Sequence, residues 1–264
     1  MEDFSGVVDS PKRLDGFRHI PPDNPLSGLA REYMGAILRR ERSRAADLVL
    51  EAAGRGVSIG DLYLHVLQPV QYEIGWLWQT GKISVGHEHY CTNATQLVIS
   101  MMYPHLFSGR HSDKKVLAAC VQGELHELGL RMVADFFEMS GWDTQYLGAN
   151  TPRDGVVAMM GEWRPDVVAV GVTMHYHLEE ARALIQAVRA APGTGNVKVL
   201  VGGHVCLAED TLWRELGADG TAMDARQAVD LAERLMRGES GGMPETAPPS
   251  RGGGTRREEA EPAG

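Results

Sequence analysis

The sequence predicts an α + α/β fold, in which a helical bundle cap is followed by a flavodoxin-like doubly wound parallel sheet. Two observations support this prediction. In the first part of the chain, apolar residues recur at spacings of three and four, as in amphipathic helices. From Lys114 onward, short and almost wholly apolar runs alternate with helical stretches, and such runs are typical of strands buried on both faces. Alternation of this kind favours a parallel sheet covered by helices.

Composition divides the chain into four segments. Residues 1–24 and 238–264 lack apolar periodicity, so we expect a disordered arm and a disordered tail. Between them we expect a helical bundle cap domain over 25–110 and a Rossmann-like domain over 113–237. The net charge of −9 argues against direct nucleic-acid binding. No signal stretch or membrane span is visible, and the three cysteines form no C-x-x-C, so we expect a cytoplasmic protein with reduced thiols.

The helices of the bundle have recognisable starts and ends. The runs LAREYMGAILRR and AADLVLEAAGRG predict two helices, the second ending on glycines. Ser58, with Asp61 three residues later, predicts a capping box for a third helix that runs toward Trp78. After the turn TGK, Ser84 can cap a further helix. We therefore expect a bundle of about four helices with short connections.

Five apolar runs predict the strands of the sheet: VLAACV, TQYLG, DVVAVGVT, VKVLVGG and DGTAM. Right-handed crossovers leave few topologies for such a sheet. With a flavodoxin-like strand order, ligands bind between the first and third strands, where the order reverses. The loops that follow these strands are QGELHELG and TMHYHL, and GGHVC follows the fourth strand beside them. Histidines and glycines are concentrated in these three loops, which favours a ligand site.

The first of these loops contains a histidine and a carboxylate instead of a nucleotide-binding motif. No G-x-G-x-x-G follows the first strand, and no G-x-x-x-x-G-K-[ST] occurs in the chain. Glu124 precedes His126 by two residues, and a metal-ligating imidazole typically donates its other N–H to a carboxylate. Gly129 would let the next helix begin without a side chain that blocks a ligand. Two alternatives stay open: the motif alone also suits a solvated helix start, and His175 with His177 could chelate a metal.

Together these residues resemble the D-x-H-x-x-G … S-x-L … G-G signature of methionine-synthase-type cobalamin-binding domains. The resemblance implies that His126 is the lower cobalt ligand in place of the cofactor's own benzimidazole, with Glu124 as its hydrogen-bonding partner. It also implies that Thr173 donates a hydrogen bond to the nucleotide tail and that Gly202-Gly203 forms the floor of the tail groove. Further residues of the three loops are predicted to line the cofactor site: Glu127, Leu128, Gly129, His175, His177 and His204. Two positions depart from the family pattern, since Glu124 replaces Asp and His175 replaces Leu.

The cap carries a second resemblance. Trp78, nine further residues and then Glu88-His89 are similar to the W-x9-E-H signature of CarH/LitR-type light sensors, which use adenosylcobalamin. In that family the Trp packs against the adenosyl group, the Glu hydrogen-bonds it, and light releases it so that the cap shifts. The resemblance implies a cobalamin-binding photoreceptor module rather than an enzyme, with an unidentified protein output partner and homo-oligomerisation left open. Gln79 replaces the His that follows the Trp in those sensors, and either Trp76 or Trp78 could instead pack in the bundle core.

Two other functions stay open. Photocobilins, a related class, hold a bilin such as biliverdin beside cobalamin, and a pocket with Tyr90, Tyr176 and several histidines would suit a planar conjugated acid. The other is a corrinoid methyl-carrier protein for a methyltransferase. Caps of that class typically lack W-x9-E-H, and a bulky Trp above the cobalt would obstruct the active site of a partner.

Overall fold

The computed structural model describes residues 17–106, 109, 112–209 and 211–241 and shows a helical cap on a parallel sheet. The predicted fold class is thereby confirmed. Most of the segments predicted to be disordered, 1–24 and 238–264, lies outside the described residues. Within the first of them, the backbone from residue 17 to 24 forms no helix, and Ile20 is fully buried in the core of the cap.

The cap is built from helices that follow one another with short connections. They are α1 Ser27–Leu38, α2 Arg42–Gly54, α3 Ile59–Leu62, α4 Gln68–Gln79 and α5 Val85–Met102. The two predicted helix starts are confirmed: the Ser58 hydroxyl accepts a hydrogen bond from the backbone N–H of Asp61 at 3.0 Å, and that of Ser84 from His87 at 3.3 Å. Each cap satisfies an N–H that the first turn of a helix leaves without a partner.

Helices α3 and α4 are joined without a break by a π-helical turn, Tyr63–Leu67. Pro69 explains this turn, because proline lacks an N–H and its ring crowds the carbonyl four residues earlier, which belongs to His65. That carbonyl accepts a hydrogen bond from the Asn24 side-chain amide at 2.8 Å instead. The turn changes the register of α4 and thereby affects where its residues, Trp78 among them, point.

The sheet has four parallel strands in the order β2-β1-β3-β4 within the described residues. The strands are β1 Lys115–Cys120, β2 Asp143–Gly148, β3 Val167–Gly171 and β4 Lys198–Gly202. The helices of this domain are α6 Leu128–Met139, α7 Arg153–Trp163, α8 Leu178–Ala190, α9 His204–Ala208, α10 Leu212–Leu216 and α11 Ala225–Met236. Strand order reverses between β1 and β3, which is where the sequence predicted a ligand site.

The prediction of a fifth strand was wrong. In the described part of the chain, the run DGTAM contributes one isolated parallel bridge, between Gly220 and Leu200. The run is short because Asp224, just beyond it, already caps α11 by accepting a hydrogen bond from the N–H of Gln227 at 2.9 Å. A Cβ on Gly220 would lie 2.9 Å from the Leu231 side chain, so the glycine allows α11 to pack closely at this point.

Polar contacts hold the cap over the carboxyl edge of the sheet. The Tyr63 hydroxyl donates to the buried Asp135 carboxylate of α6 at 2.7 Å, and the Arg226 guanidinium of α11 donates to Asp61 at 2.9 Å. These contacts leave the loops after β1, β3 and β4 facing the cap. Among the described residues, no helix has the length and hydrophobicity that crossing a membrane requires.

Candidate functional site

The β1 loop (residues 121–127) and the β3 loop (residues 172–177) meet at one buried carboxylate. Glu124 is fully buried and accepts hydrogen bonds on both oxygens. Oε1 accepts from the backbone N–H of His126 at 3.0 Å and from its Nδ1 at 2.5 Å. Oε2 accepts from the backbone N–H groups of Thr173 and Met174, at 2.8 and 3.1 Å, and from Nδ1 of His177 at 3.1 Å. A carboxylate with this many donors is held in one position.

The electrostatics of the pair keep Glu124 ionised. Burial raises the pKa of the Glu124 carboxyl, but hydrogen bonds from His126, Thr173 and His177 outweigh burial and hold the pKa well below its usual range. The hydrogen bond to Glu124 raises the pKa of His126 against the opposing effect of burial, and the negative charge of Glu88 in the cap adds to the rise. Glu88 therefore lies close enough to His126 for their charges to interact across the gap between the domains.

This arrangement leaves one nitrogen of His126 available. An ionised carboxylate only accepts hydrogen bonds, so Nδ1 must be the donor, and in neutral imidazole the lone pair is then on Nε2. The His126 side chain is 55% exposed, although its partner Glu124 is 0% exposed. No described residue hydrogen-bonds Nε2. The predicted pair thus has the geometry of a metal ligand with its supporting carboxylate.

The glycines of the predicted groove differ in what they do. Gly203 has φ +126, and a Cβ there would lie 1.9 Å from the carbonyl oxygen of Val172, so only glycine allows β4 to end beside β3. A Cβ on Gly202 or Gly129 would meet no atom within 4 Å, so both border open space. The backbone N–H of Thr173 is already used by Glu124, which leaves its hydroxyl as the group that could bind a nucleotide tail.

Glu127 has a different environment from the one predicted. Its Oε1 accepts from the Gln96 amide of α5 at 3.1 Å, and its Oε2 accepts from the Tyr146 hydroxyl and the backbone N–H of Ala149, both at 2.9 Å. The structure therefore uses this carboxylate to join the cap to β2. Leu128 is partly buried and packs against the hydrophobic core.

The remaining predicted histidines lie apart from one another. His175 is exposed, whereas His177 is bound to Glu124. His204 is exposed and lies 6.3 Å, between ring centroids, from Tyr72 of α4. Within the described residues, no group of three or more His, Cys, Asp or Glu could hold a metal ion, so the alternative of a zinc-type chelate by His175 and His177 gains no support.

In the cap, Trp78 is the tryptophan that faces outward. It is 43% exposed, while Trp76 is partly buried in the core, with the Lys82 ammonium 4.0 Å from the centre of its ring. Glu88 accepts from Nδ1 of His89 at 2.6 Å. Among the described residues, no hydrogen bond or ring contact joins Trp78 to Glu88 or to His126.

Sequence reasoning missed a polar stripe on α5. Glu88, Thr92 and Gln96 follow one another at spacings of four and so share one helix face. The Thr92 hydroxyl lies 2.8 Å from Glu88 Oε1 and 3.1 Å from the side-chain oxygen of Gln71, and Gln96 reaches Glu127. The sequence shows the spacing of these residues, but it does not show which side of α5 lies toward the sheet.

Comparisons with known proteins identify both domains. Two family models described as B12 binding domain match the chain, one over residues 29–103 and the other over residues 114–230. The chain is a two-domain B12-binding module. A corrinoid protein of Desulfitobacterium hafniense is 23% identical to the module over 216 residues, which is 80% of this chain and 99% of the relative. Dimethylamine corrinoid protein 1 of Methanosarcina acetivorans is 23% identical over 210 residues, which is 79% of this chain and 97% of the relative.

The fold of the module also matches a solved structure. The monomethylamine corrinoid protein of Methanosarcina barkeri superposes with a TM-score of 0.71 at 19% identity, over 80% of this chain and 100% of that chain. The match shows a shared fold, and the two B12 binding domain models confirm the prediction of a cobalamin-binding module at the level of its domains. The relatives named here are corrinoid proteins, so light sensing remains a prediction.

The described residues fit a corrinoid. His126 presents an accessible imidazole nitrogen, and Gly202 and Gly129, in the loops after β4 and β1, border open space. Leu125 and Tyr176, which flank His126 and His177 in the two loops, are each 71% exposed. Large exposed apolar side chains next to binding groups are typical of ligand sites. His126 would hold the cobalt, and the loops after β1, β3 and β4 would hold the ring and tail.

Proposed function

We propose that this module is a corrinoid carrier that binds cobalamin through His126 and presents its upper face to a methyltransferase. The observation that carries the proposal is the 2.5 Å hydrogen bond between Glu124 Oε1 and Nδ1 of an exposed His126, because it leaves Nε2 free for a metal. When bound, the corrinoid would supply the cobalt that carries the methyl group. The protein holds and orients the cofactor and acts as a carrier rather than as a catalyst.

Support for the methyl-carrier role comes from the relatives. Corrinoid proteins whose names include dimethylamine and monomethylamine match this chain over almost their whole length, and the solved monomethylamine corrinoid protein of Methanosarcina barkeri has a similar fold.

Binding preference tests the carrier role. We expect the full chain to bind methylcobalamin at least as tightly as adenosylcobalamin in an absorption titration, and to lose the methyl group when a corrinoid-dependent methyltransferase is added. The variant His126→Ala should bind both forms more weakly, and a matched change of the exposed His105, His105→Ala, should not differ from the wild type. Rejection of methylcobalamin by a protein that binds adenosylcobalamin would contradict the proposal.

A second function, light sensing with adenosylcobalamin, is favoured by the cap. Trp78 is exposed rather than packed in the bundle, and the charge of Glu88 acts on His126 from the cap side. These are the residues that carry the likeness to light sensors. Illumination of the adenosylcobalamin-loaded protein with green light should then change both its absorbance and its hydrodynamic radius, and Trp78→Ala should weaken binding of the adenosyl form selectively. Photolysis without any change in hydrodynamic radius would contradict signalling.

Bilin binding remains a prediction from the sequence. The exposed ring of Tyr176 beside the two loops is compatible with a second planar pigment. Mixing the cobalamin-loaded protein with biliverdin should produce a new far-red absorption band if the second pigment binds. An unchanged biliverdin spectrum would remove this alternative.

A further inference from the structure

His177 shares the Glu124 carboxylate with the predicted cobalt ligand. One imidazole binds each oxygen: Nδ1 of His126 lies 2.5 Å from Oε1, and Nδ1 of His177 lies 3.1 Å from Oε2. The other donors to Oε2 in the described residues are backbone N–H groups of the β3 loop. His177 is therefore the side chain through which the β3 loop can set the position of the Glu124 carboxylate.

The surroundings of His177 fix its ring. Its backbone N–H donates to the carbonyl of Met174 at 3.0 Å, and its ring meets that of Tyr176 edge-on at 4.3 Å. A Cβ on Gly123, which has φ +85, would lie 3.0 Å from Nε2 of His177, so a glycine at this turn makes room for the imidazole. The side chain is 14% exposed, in contrast to the exposed His175 two residues earlier. The surrounding residues therefore hold this imidazole in a defined position, unlike that of a histidine on the surface.

From this geometry we propose that His177 is a positioning residue for His126 and acts on it through Glu124. The proposal rests on the role of His126 as the lower cobalt ligand. With Oε2 held by His177 and the β3 backbone, the carboxylate presents Oε1 to Nδ1 of His126. That contact selects the imidazole tautomer whose lone pair is on Nε2, the only tautomer that can bind a metal through Nε2.

The length of the acidic side chain supports this role. Glu124 reaches from the β1 loop to three donors in the β3 loop while keeping two contacts to His126. Both loops thereby contribute to one hydrogen-bond network. A displacement of the turn that carries His177 would move the Glu124 carboxylate and, through it, the imidazole of His126. A free His177 chelating a metal with His175 would not need this contact.

Three variants of the full-length protein test the proposal. His177→Leu removes the donor, His177→Asn keeps an N–H near the position of Nδ1, and a change of the exposed His105, His105→Leu, is a matched control outside the network. The first readout uses apo protein labelled with ¹⁵N-histidine, in which nitrogen chemical shifts report the tautomer of His126. The second is the absorption spectrum of cobalamin-loaded protein, which reports the ratio of molecules with and without His126 on the cobalt.

We expect His177→Leu to mix the tautomers of His126 and to lower the His-on to His-off ratio about ten-fold, the effect of one charge-assisted hydrogen bond. His177→Asn should restore the ratio to within about three-fold of the wild type, because a rescuing donor recovers most of that hydrogen bond. His105→Leu should match the wild type. A merely structural role for His177 would lower thermal stability without changing the tautomer or the ratio.

Wild-type values of both readouts in a folded His177→Leu protein would overturn the proposal, as would a folded His177→Asn protein that shows no rescue. If His177→Leu does not fold, His177→Gln, whose amide is displaced toward the position of Nε2, replaces it with the same expected loss. A wild type that binds cobalamin without His126 on the cobalt would overturn the lower-ligand role instead. The apo tautomer of His126 then decides the positioning role independently.

Discussion

Replacing Glu124 with Gln tests the electrostatic centre of the site most sharply. Glu124 is fully buried and accepts five hydrogen bonds, two on Oε1 and three on Oε2. Glutamine has the same shape, but one of its two terminal atoms is an NH₂ group that can only donate. In the better orientation, the amide oxygen keeps the three donors at Oε2 and the NH₂ faces the two donors of His126.

The cost follows from the bond that is lost. Nδ1 of His126 can accept a hydrogen bond from this NH₂ by changing tautomer, so the bond from the backbone N–H of His126 is the one that is lost. A hydrogen bond to a charged group contributes about 1.5–3 kcal/mol, and the free energy of unfolding should fall by this amount. Urea unfolding of the apo protein, followed by circular dichroism, measures this difference. The matched control is Glu179→Gln, whose carboxylate is 87% exposed and is paired only loosely with Arg182 at 3.8 Å. We expect a change of about 0–1 kcal/mol for this control.

A refuting result is straightforward to recognise. If Glu124→Gln unfolds within about 1 kcal/mol of the wild type, the loss is smaller than even one charge-assisted hydrogen bond. The carboxylate would then not be the acceptor of the network that the geometry describes.

Four further substitutions, one of them measured across a range of pH, give separate tests. Gly203→Ala should lower the free energy of unfolding by at least about 3 kcal/mol, because it places a side chain on a residue with positive φ and creates a clash with the backbone. Gly202→Ala should leave urea unfolding of the apo protein unchanged but weaken cobalamin retention in dialysis. The pKa of His126 in the folded apo protein lies above its usual value of 6.5. The stability that this interaction contributes is therefore complete below pH 6.5 and is lost as the pH rises through the folded pKa. Over this pH range, the free energy of unfolding of His126→Ala should fall less with rising pH than that of the wild type. Tyr63→Phe removes the hydroxyl that donates to the buried Asp135 carboxylate. It should lower the free energy of unfolding, measured by heat or urea, by about 1.5–3 kcal/mol. An unchanged free energy of unfolding would mean that this contact does not hold the cap to α6.

Local patterns in the sequence predicted the helix starts and the pairing of Glu124 with His126. Both depend on residues two or three positions apart, for which backbone geometry alone brings the groups together. Strand order was predictable as well, because right-handed crossovers leave few arrangements for alternating strands and helices. The location of the site followed from the strand order.

The parts that were missed depend on the relative position of distant elements. His177 and Glu124 are 53 residues apart, and their contact requires that the ends of β1 and β3 meet in register. The contacts of Glu127 with Gln96 of α5 and Tyr146 of β2 could not be read from the sequence either, because they join distant elements. The fifth strand failed because an apolar run does not reveal how soon the next helix must begin.

The bond between His126 and cobalt is tested most directly by electron paramagnetic resonance. The full chain would be loaded with cob(II)alamin, once at natural isotope abundance and once with ¹⁵N-histidine throughout the protein. If His126 is the lower ligand, the superhyperfine pattern from a single axial nitrogen changes with the isotope and disappears in His126→Ala. A pattern that is the same in labelled and unlabelled protein would mean that the nitrogen belongs to the cofactor's own base, and the account of this site would be wrong.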